Sequence, residues 1–388
     1  MAHLNLEANT RVRPMRQRAK FTRILKGSNL SYMRRALDLS NKALGISNPN
    51  PPVGAVVVKD GMVVGEGFTG PPGTFHAEKE ALNVAGDYAR GASLYVTLEP
   101  CIHFGRTPPC VDSIIEAGIS EVHASVIDPD KRVNGRGVEK LEASDIKVYT
   151  GELADDSSRR MQAHIKLMKT GLPFVTVKFA ASLDGKIATS SGESQWITGN
   201  DARDIAHSMR GETDAIMVGI GTVLADNPRL TARGDYSPTT GRQPLRVVVD
   251  SNCRIPLNSA LLFEPGQTII ASNKSSPTCD LPSSVTIEKF PGSSDRVDLS
   301  RLLSYLGKIP VSSVLVEGGS GLTGALFDEG LVDKVVAFLS PSIIGGINSL
   351  SAVSGVGAKI ISDVIRLSDV EVTSAGDDLL ITGYCLAE

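Results

Sequence analysis

The first half of the chain alternates short apolar runs with segments whose apolar residues recur at helical spacing. A helix is predicted to begin at Tyr32–Leu37, and a strand at Val53–Val58 follows it. Asp60-Gly61 is typical of a two-residue hairpin turn, so the run Met62–Gly67 is predicted to pair with the strand before it. The chain therefore opens as a helix followed by a β-hairpin.

The same pattern continues for another hundred residues. The next predicted elements, in chain order, are a helix at His76–Ala85 that ends at Gly86, a strand at Ser93–Leu98, a helix that begins near Pro109-Cys110 and ends before Gly118, a strand at Glu121–Ile127 and a helix at Ala154–Lys169. Strands that alternate with helices indicate a layered α/β domain.

A second alternating region begins after Gly171-Leu172-Pro173, with a predicted strand at Phe174–Phe179. The length of 388 residues is more than one core usually supports, whereas two units of roughly 150–200 residues are common. The sequence thus predicts three parts: a basic, disordered tail (1–27), a first domain (28–171) and a second domain (172–388).

Two glycine-rich turns follow predicted strands in the second domain, at 219–222 and at 317–324. The later turn contains Gly319-x-Gly321-x-x-Gly324, which matches the dinucleotide fingerprint by letter. A Rossmann fold needs this motif on its first strand with an acid ~20 residues later, and neither condition holds. Glycines would still let backbone amides and a helix start approach a phosphate. A tight structural turn is the alternative.

The first 26 residues contain seven Lys or Arg and one acid, Glu7. They lack an apolar core region, which argues against a Sec signal. A disordered basic tail or an upstream start codon is favoured over an organellar transit peptide, because serine is absent before Ser28.

The bulk composition is that of a soluble globular protein and suggests no polyanionic or membrane partner. Net charge is −3, and no run of 18 apolar residues occurs. Cys253, Cys279 and Cys385 form an odd set that suggests a reducing, cytoplasmic compartment.

The segment 76–110 carries the candidate chemistry: His76-Ala77-Glu78, Pro100-Cys101 and Pro109-Cys110. One imidazole and two thiolates fill three positions of a tetrahedral zinc and leave the fourth for water. Zinc lowers the pKa of such a water from ~15.7 toward ~7, and Glu78 is placed to carry its proton. This arrangement is typical of hydrolytic deaminases of pyrimidines and purines.

Two other interpretations of these residues remain open. A purely structural zinc would need a fourth protein ligand, and His103 could supply it. The cysteines could also be buried thiols with no metal. The two Pro-Cys pairs and the strand-to-helix context favour the catalytic zinc.

The spacing between the cysteines narrows the family. Eight residues separate Cys101 from Cys110, whereas nucleic-acid deaminases have Pro-Cys-x-x-Cys. The stretch Thr97–Cys110 closely resembles the bifunctional deaminase–reductases of riboflavin biosynthesis, the RibD family. The segments 49–54, 174–192 and 317–325 resemble the same family, and the likeness extends over essentially everything after residue 28.

The resemblance implies a cytidine-deaminase-like α/β/α domain followed by a dihydrofolate-reductase-like α/β domain. It also implies one Zn²⁺ per chain, NADPH and a phosphorylated pyrimidine substrate, with a homo-oligomer as a further expectation. The implied reactions are deamination of a diamino-ribosylamino-pyrimidinone 5′-phosphate and reduction of its ribosyl group to ribityl. Alternatives are an inactive reductase-like domain and, less favoured because aromatic residues are only 5%, a nucleic-acid deaminase.

The resemblance also implies site residues. The cofactor would contact Ala180, Trp196, Thr222, Asp226, Ser251, Gly319, Ser320, Gly321, Leu322, Thr323, Gly324 and Ala325. The substrate would contact Asn50 in the deaminase and Lys178, Ser194, Arg210, Leu230, Arg233 and Glu317 in the reductase. Lys178 could instead snorkel to water, and Trp196 could be a core residue.

The chain departs from the family pattern at two loops. Asp128-Pro129-Asp130-Lys131 stands where the family usually has Asp-Pro-Asn-Pro, so a negative charge would lie near a phosphorylated ligand, offset in part by Lys131. Pro52 replaces a frequent asparagine, which an extended loop tolerates.

Overall fold

A computed structural model describes residues 28–233, 241–274 and 281–385 of the chain. The basic segment 1–27 and Cys279 lie outside the described residues, so the predictions made for them are not addressed. None of the described helices is long and apolar enough to cross a membrane.

Ten α-helices and fourteen strands make up the regular structure of the described part. The helices are α1 (Asn29–Ser40), α2 (Ala77–Ala85), α3 (Cys110–Ala117), α4 (Arg136–Glu142), α5 (Ala154–Arg160), α6 (Gln162–Thr170), α7 (Asn200–Glu212), α8 (Ile220–Asp226), α9 (Leu299–Lys308) and α10 (Ser320–Asp328). The strands are β1 (Gly54–Lys59), β2 (Met62–Phe68), β3 (Ser93–Leu98), β4 (Glu121–Val126), β5 (Lys147–Thr150), β6 (Phe174–Ser182), β7 (Ala215–Gly219), β8 (Leu245–Val249), β9 (Thr268–Ser272), β10 (Val285–Lys289), β11 (Ser313–Val316), β12 (Lys334–Ser340), β13 (Leu367–Ala375) and β14 (Asp378–Cys385).

The first sheet has five strands in the order β2-β1-β3-β4-β5. The hairpin β1–β2 is antiparallel, and its turn residues Asp60 and Gly61 both have positive φ, as a type I′ turn requires. The pairs β3–β4 and β4–β5 are parallel. The predicted hairpin is confirmed.

Helices cover both faces of this sheet. Alternate residues of β1 pack on opposite sides: Val57 lies in a core with α2 and α3, and Val56 in a core with α1. A side chain at Gly65 of β2 would meet the backbone oxygen of Ala81 at 2.1 Å, so α2 lies directly against the strand. The result is the predicted α/β/α layering, with the start of α2 fixed beside the sheet.

The predicted helix at Ala154–Lys169 is wrong in one respect, because it is two helices, α5 and α6. The chain breaks at Met161, whose φ of −103° and ψ of 16° are not helical and whose side chain is fully buried. The break lets α5 bond the first sheet through Ser157 and Ser125, while Lys166 of α6 reaches Asp333 beside the second sheet.

The second sheet has nine strands in the order β10-β9-β8-β7-β11-β6-β12-β14-β13. Every neighbouring pair from β10 to β12 is parallel, whereas β14 and β13 are antiparallel. The carboxyl ends of the central strands therefore meet at one edge. In the paired register Val316 lies beside Val177 and Met217, so the residues that follow them are brought together.

The two halves touch through a hydrogen-bonded loop. The Asn48 amide donates to the Asp214 carboxylate at 2.6 Å, and the same carboxylate accepts from Arg242 at 2.9 Å and from the Ser312 amide at 2.9 Å. Asn50, the predicted substrate contact, lies two residues further along this loop. The loop that carries Asn50 is thus anchored on the second half.

Candidate functional site

Three elements position the predicted zinc ligands. His76 caps the start of α2, Cys101 follows β3 after Pro100, and Cys110 is the first residue of α3, with Pro109 as its cap. The His76 Nδ1 atom lies 3.7 Å from the Cys101 sulfur and 3.3 Å from the Cys110 sulfur. All three ligand atoms lie within 4.8 Å of one another.

These distances fit zinc. Bonds of about 2.3 Å to sulfur and about 2.0 Å to nitrogen at a tetrahedral angle place the two ligand atoms roughly 3.5 Å apart. In the described part of the chain, this group of three is the one set of His, Cys, Asp or Glu side chains found close enough for a metal. His103 is not in it, so a four-ligand structural site gains no support, and one position stays open.

The two cysteine side chains interact with each other and with His76. A hydrogen bond from the Cys110 thiol, and the nearby His76, lower the pKa of Cys101 to about 4, although burial opposes this. The same hydrogen bond and burial raise the pKa of Cys110. The Cys110 backbone amide also donates to the Cys101 sulfur at 3.4 Å. These contacts favour the thiolate form of Cys101, which is the form that binds a metal.

Glu78 is enclosed beside these ligands. Its side chain is buried, and burial raises its pKa to about 7, while a cation at the ligands would lower it again. Glu78, His76, Cys101 and Asn50 line one cavity of about 120 Å³, and Cys110 lies beside the other two ligands. The structure thus brings every predicted deaminase residue to one place.

The loop with the unusual Asp130 lines the same cavity. The Asp130 carboxylate accepts from Arg132 at 2.5 Å (Nη2) and 3.0 Å (Nε), and these hydrogen bonds lower its pKa. The predicted partial offset by Lys131 stays a prediction, and the ion pair that the structure shows is with Arg132. The backbone amide of Arg132, two residues after Asp130, also donates to this carboxylate at 2.9 Å.

Glu99 is a buried acid that the sequence analysis did not single out. Its carboxylate accepts from the backbone amides of Asp128, Gly135, Gly137 and Val138 at 2.8–3.2 Å. It therefore fixes the loop that carries Asp130. The sequence feature that could have identified Glu99 is its position directly after the apolar strand Ser93–Leu98 and before Pro100-Cys101.

Three charged residues that were predicted to contact the reductase substrate, Lys178, Arg210 and Glu317, lie at the carboxyl edge of the second sheet. Arg210 of α7 donates two hydrogen bonds to Glu317, at 2.6 and 2.8 Å. Burial alone would raise the pKa of Glu317, but Arg210 outweighs it and holds the pKa at about 2. Burial lowers the pKa of Lys178, whose ammonium lies 5.5 Å from the centre of the Phe338 ring. This enclosure does not support a snorkelling role.

Several predicted cofactor contacts surround this edge. A Cβ at Gly319 would lie 3.4 Å from the Thr222 hydroxyl, so the two glycine-rich turns are neighbours. The Ser194 hydroxyl donates to Asp226 at 3.0 Å. Trp196 is 70% exposed, with the Arg203 guanidinium 4.2 Å from its ring centre, so the interpretation as a core residue is wrong.

The turn at 317–324 combines two functions of glycine. Gly319 caps α10, and a Cβ at Gly321 would meet open space. A Cβ at Gly324 would instead strike the Ser354 backbone oxygen at 2.2 Å. Tight packing therefore explains Gly324, while the open start of α10 is suited to a phosphate. Of the remaining turn residues, Leu322 and Thr323 are buried, and Ser320 and Ala325 are partly buried.

The other predicted contacts differ in exposure. Leu230 packs in an apolar cluster, so a ligand could reach only its backbone. Arg233 is exposed, Ala180 is half-buried on β6, and the Ser251 hydroxyl accepts from the Val297 amide at 3.1 Å.

The sequence analysis did not single out His207, which lies one helical turn before Arg210. Burial lowers its pKa, as do the charges of Arg210 and Arg233. Its Nδ1 atom is buried and has no hydrogen-bond partner among the described residues.

Comparison with known proteins supports the predicted fold of each half. Residues 27–126 match the cytidine and deoxycytidylate deaminase zinc-binding region, and residues 173–381 match the RibD C-terminal domain. Riboflavin biosynthesis protein RibD of Bacillus amyloliquefaciens is 40% identical and covers 90% of this chain and 95% of its own length. The Escherichia coli protein of the same name is 38% identical and covers 90% and 97%.

Solved structures give the same result. Acinetobacter baumannii RibD has a TM-score of 0.85 at 34% identity and covers 92% of this chain and 99% of its own. The Thermotoga maritima deaminase/reductase has a TM-score of 0.81 at 37% identity, with the same coverage. The predicted pair of folds is confirmed, as are zinc and NADPH as cofactors. The chain belongs to the RibD family of bifunctional deaminase–reductases of riboflavin biosynthesis.

Proposed function

We propose that this enzyme deaminates a diamino-ribosylamino-pyrimidinone 5′-phosphate and then reduces the ribosyl group of the product to ribityl. The observation that carries the proposal is the cavity that holds His76, Cys101 and Glu78 together with Asn50. The Thermotoga relative is described as a diaminohydroxyphosphoribosylaminopyrimidine deaminase and 5-amino-6-(5-phosphoribosylamino)uracil reductase, which fits this order.

In the deaminase, His76, Cys101 and Cys110 would hold the metal. When bound, zinc acts as a Lewis acid that makes a nucleophile available from water near neutral pH. Glu78 takes the proton of the attacking water and passes protons to the ring nitrogen and to the departing ammonia. Its burial keeps bulk water from competing for these protons. Asn50 orients the pyrimidine.

In the reductase, NADPH supplies the hydride. We assign the cofactor phosphates to the open start of α10 around Gly319 and Gly321, where no described side chain caps the helix and backbone amides at a helix start can bind anions. The substrate would lie against Lys178, Arg210 and Glu317, with Ser194 and Arg233 toward its phosphate. The paired Arg210 and Glu317 fix each other's side chains before substrate arrives.

Two alternatives were open from the sequence. A catalytically inactive second domain is disfavoured because Lys178, Arg210 and Glu317 form an enclosed polar cluster that packing does not require. A nucleic-acid deaminase is disfavoured by the net charge of −3 and the low aromatic content. We place the division between the domains near Gly171, which ends α6 in a left-handed conformation.

We also propose a homo-oligomer and a cytoplasmic location. The segment 341–366 exposes Ile347, Val356 and Ile361, at 98%, 78% and 78%. The adjacent strand β13 is the outer strand of the sheet, so its free edge could pair with that of a second copy. Light scattering of the purified protein tests the assembly. The location rests on the free cysteines of the described chain.

The test of the proposed function is a coupled assay on one purified sample. Ammonia release and NADPH oxidation are followed from the diamino-ribosylamino-pyrimidinone 5′-phosphate. Both are expected, with ammonia first. Ammonia without NADPH oxidation, when the deaminated product is also supplied directly, would support the inactive-reductase alternative.

A further inference from the structure

The size of the zinc cavity limits which part of the substrate enters it. Its volume of about 120 Å³ is of the size of a single ring and is too small for a ring together with its ribose phosphate. The sugar phosphate of the proposed substrate must therefore extend through the mouth. The residues at the mouth decide how this doubly charged group is received.

Asp130 and Arg132 line this cavity together. The Asp130 side chain is 10% exposed and that of Arg132 is 66% exposed, so the guanidinium forms the solvent side of the pair. Arg132 uses Nε and Nη2 to bind the carboxylate, and none of its hydrogen bonds to the described residues uses Nη1. Its N–H groups on that atom are available to an anion.

The loop beneath this pair is firmly held. The Asp130 amide donates to Asp128 at 2.9 Å, the His164 ring lies 3.3 Å from the same carboxylate, and Glu99 accepts from the Asp128 amide at 3.2 Å. A guanidinium bound in two places to a fixed carboxylate loses little further freedom on binding a phosphate.

We propose that Arg132 recognises the phosphate of the deaminase substrate and that Asp130 is the positioning residue that holds its guanidinium at the mouth. The proposal rests on the proposed function. An unpaired carboxylate here would repel the phosphate, whereas the pair presents no net charge and two free donors. The aspartate that replaces the usual asparagine at position 130 would thus contribute to phosphate recognition by holding Arg132.

The opposing explanation is that Arg132 only neutralises Asp130. A double-mutant cycle separates the two: wild type, Arg132→Ala, Asp130→Asn, and Arg132→Ala in the Asp130→Asn background. Each variant is assayed for ammonia release from the pyrimidinone 5′-phosphate and from its dephosphorylated riboside, with zinc content as the check on folding. The readout is the ratio of kcat/KM between the two substrates.

Arg132→Ala is expected to lower this ratio roughly tenfold or more in the wild type, because it removes a hydrogen bond to a charged group. In the Asp130→Asn background the loss should be smaller but still present, because the guanidinium remains and is held less firmly. Arg132→Lys keeps the charge without the two-point pair and should fall between. A loss confined to the Asp130 background, or an equal loss with the riboside, would overturn the proposal. Wild-type enzyme that deaminates neither substrate would instead contradict the proposed function.

Discussion

The zinc site and the reductase cleft are built in different ways. The three zinc ligands lie between residues 76 and 110, on elements that follow one another along the chain. The cleft joins Arg210 to Glu317, which are 107 residues apart, through the parallel sheet. A motif can therefore identify the first site from residue types, whereas the second exists only once the topology is known.

The two sites also differ in how their charges are balanced. The zinc site is a cluster of thiols and imidazole that needs a cation to complete it. The cleft balances the Glu317 carboxylate internally with Arg210. We expect the deaminase to depend on its metal and the reductase half to depend on its buried ion pair.

The largest effect is expected at the metal ligands. Cys101→Ser/Cys110→Ser should reduce bound zinc from one per chain to none and abolish ammonia release, because two of three protein ligands are lost. Metal analysis and the ammonia assay measure this. Cys253→Ser, a free cysteine in the second half, is the control and should keep both. Full zinc binding by the double variant would contradict the ligand assignment.

Glu78→Gln should retain zinc but lower ammonia release by ~10²–10⁴, the usual contribution of a general acid or base. The measurement is kcat for ammonia release with zinc content in parallel. Glu80 lies on the same turn of α2 but does not line the cavity. The control variant Glu80→Gln should therefore keep near-normal turnover. Normal turnover by Glu78→Gln would show that another group carries the proton.

Arg210→Ala should destabilise the second half by about 3–5 kcal/mol, because it leaves the Glu317 carboxylate buried and unpaired. Denaturant unfolding measures this. Adding Glu317→Gln should restore part of the loss. Arg301→Ala, which breaks an exposed ion pair with Asp298, should cost less than ~1 kcal/mol. Equal costs at the two arginines would contradict a buried pair.

The same pair predicts a pH dependence. Arg210 holds the folded pKa of Glu317 at about 2, below its ordinary value of 4.5. Its contribution to stability is therefore present above pH 4.5 and is lost as the pH falls toward 2. Unfolding free energies over this range should decline more steeply for wild type than for Glu317→Gln. Parallel declines would show that Glu317 contributes nothing.

The smallest effect is expected at the glycine-rich turn. Gly321→Leu fills open space at the start of α10, so it should raise the KM for NADPH roughly tenfold while the fold is retained. Gly324→Ala, which meets the Ser354 backbone, should instead lower thermal stability. An unchanged KM in the Gly321 variant would argue against a phosphate at this helix start.

The deaminase half could be predicted from sequence in some detail. His76 and Cys110 stand at predicted helix starts and Cys101 follows a predicted strand, which is a local pattern that sequence alone reveals. The hairpin at Asp60-Gly61 likewise follows from local turn geometry. The break at Met161 could not be predicted. Its apolar side chain continues the helical pattern, and the break depends on the burial of that side chain in the core of the first sheet.

The charge pairing could not be predicted either. Arg210–Glu317 depends on strand order, which the alternating pattern does not specify. Arg132 was overlooked in favour of Lys131, because proximity in sequence does not tell which side chain folds back onto Asp130. Exposure of Trp196 likewise depends on where its loop lies and not on its hydrophobicity.

The central claim is that the two chemistries share no residue, although Asn48 and Asp214 join the two halves. The most direct test supplies the Glu78→Gln enzyme with the already deaminated substrate and follows NADPH oxidation. We predict a rate within about twofold of wild type, while ammonia release from the original substrate is lost. A folded, zinc-loaded Glu78→Gln enzyme that no longer oxidises NADPH on that substrate would contradict the claim.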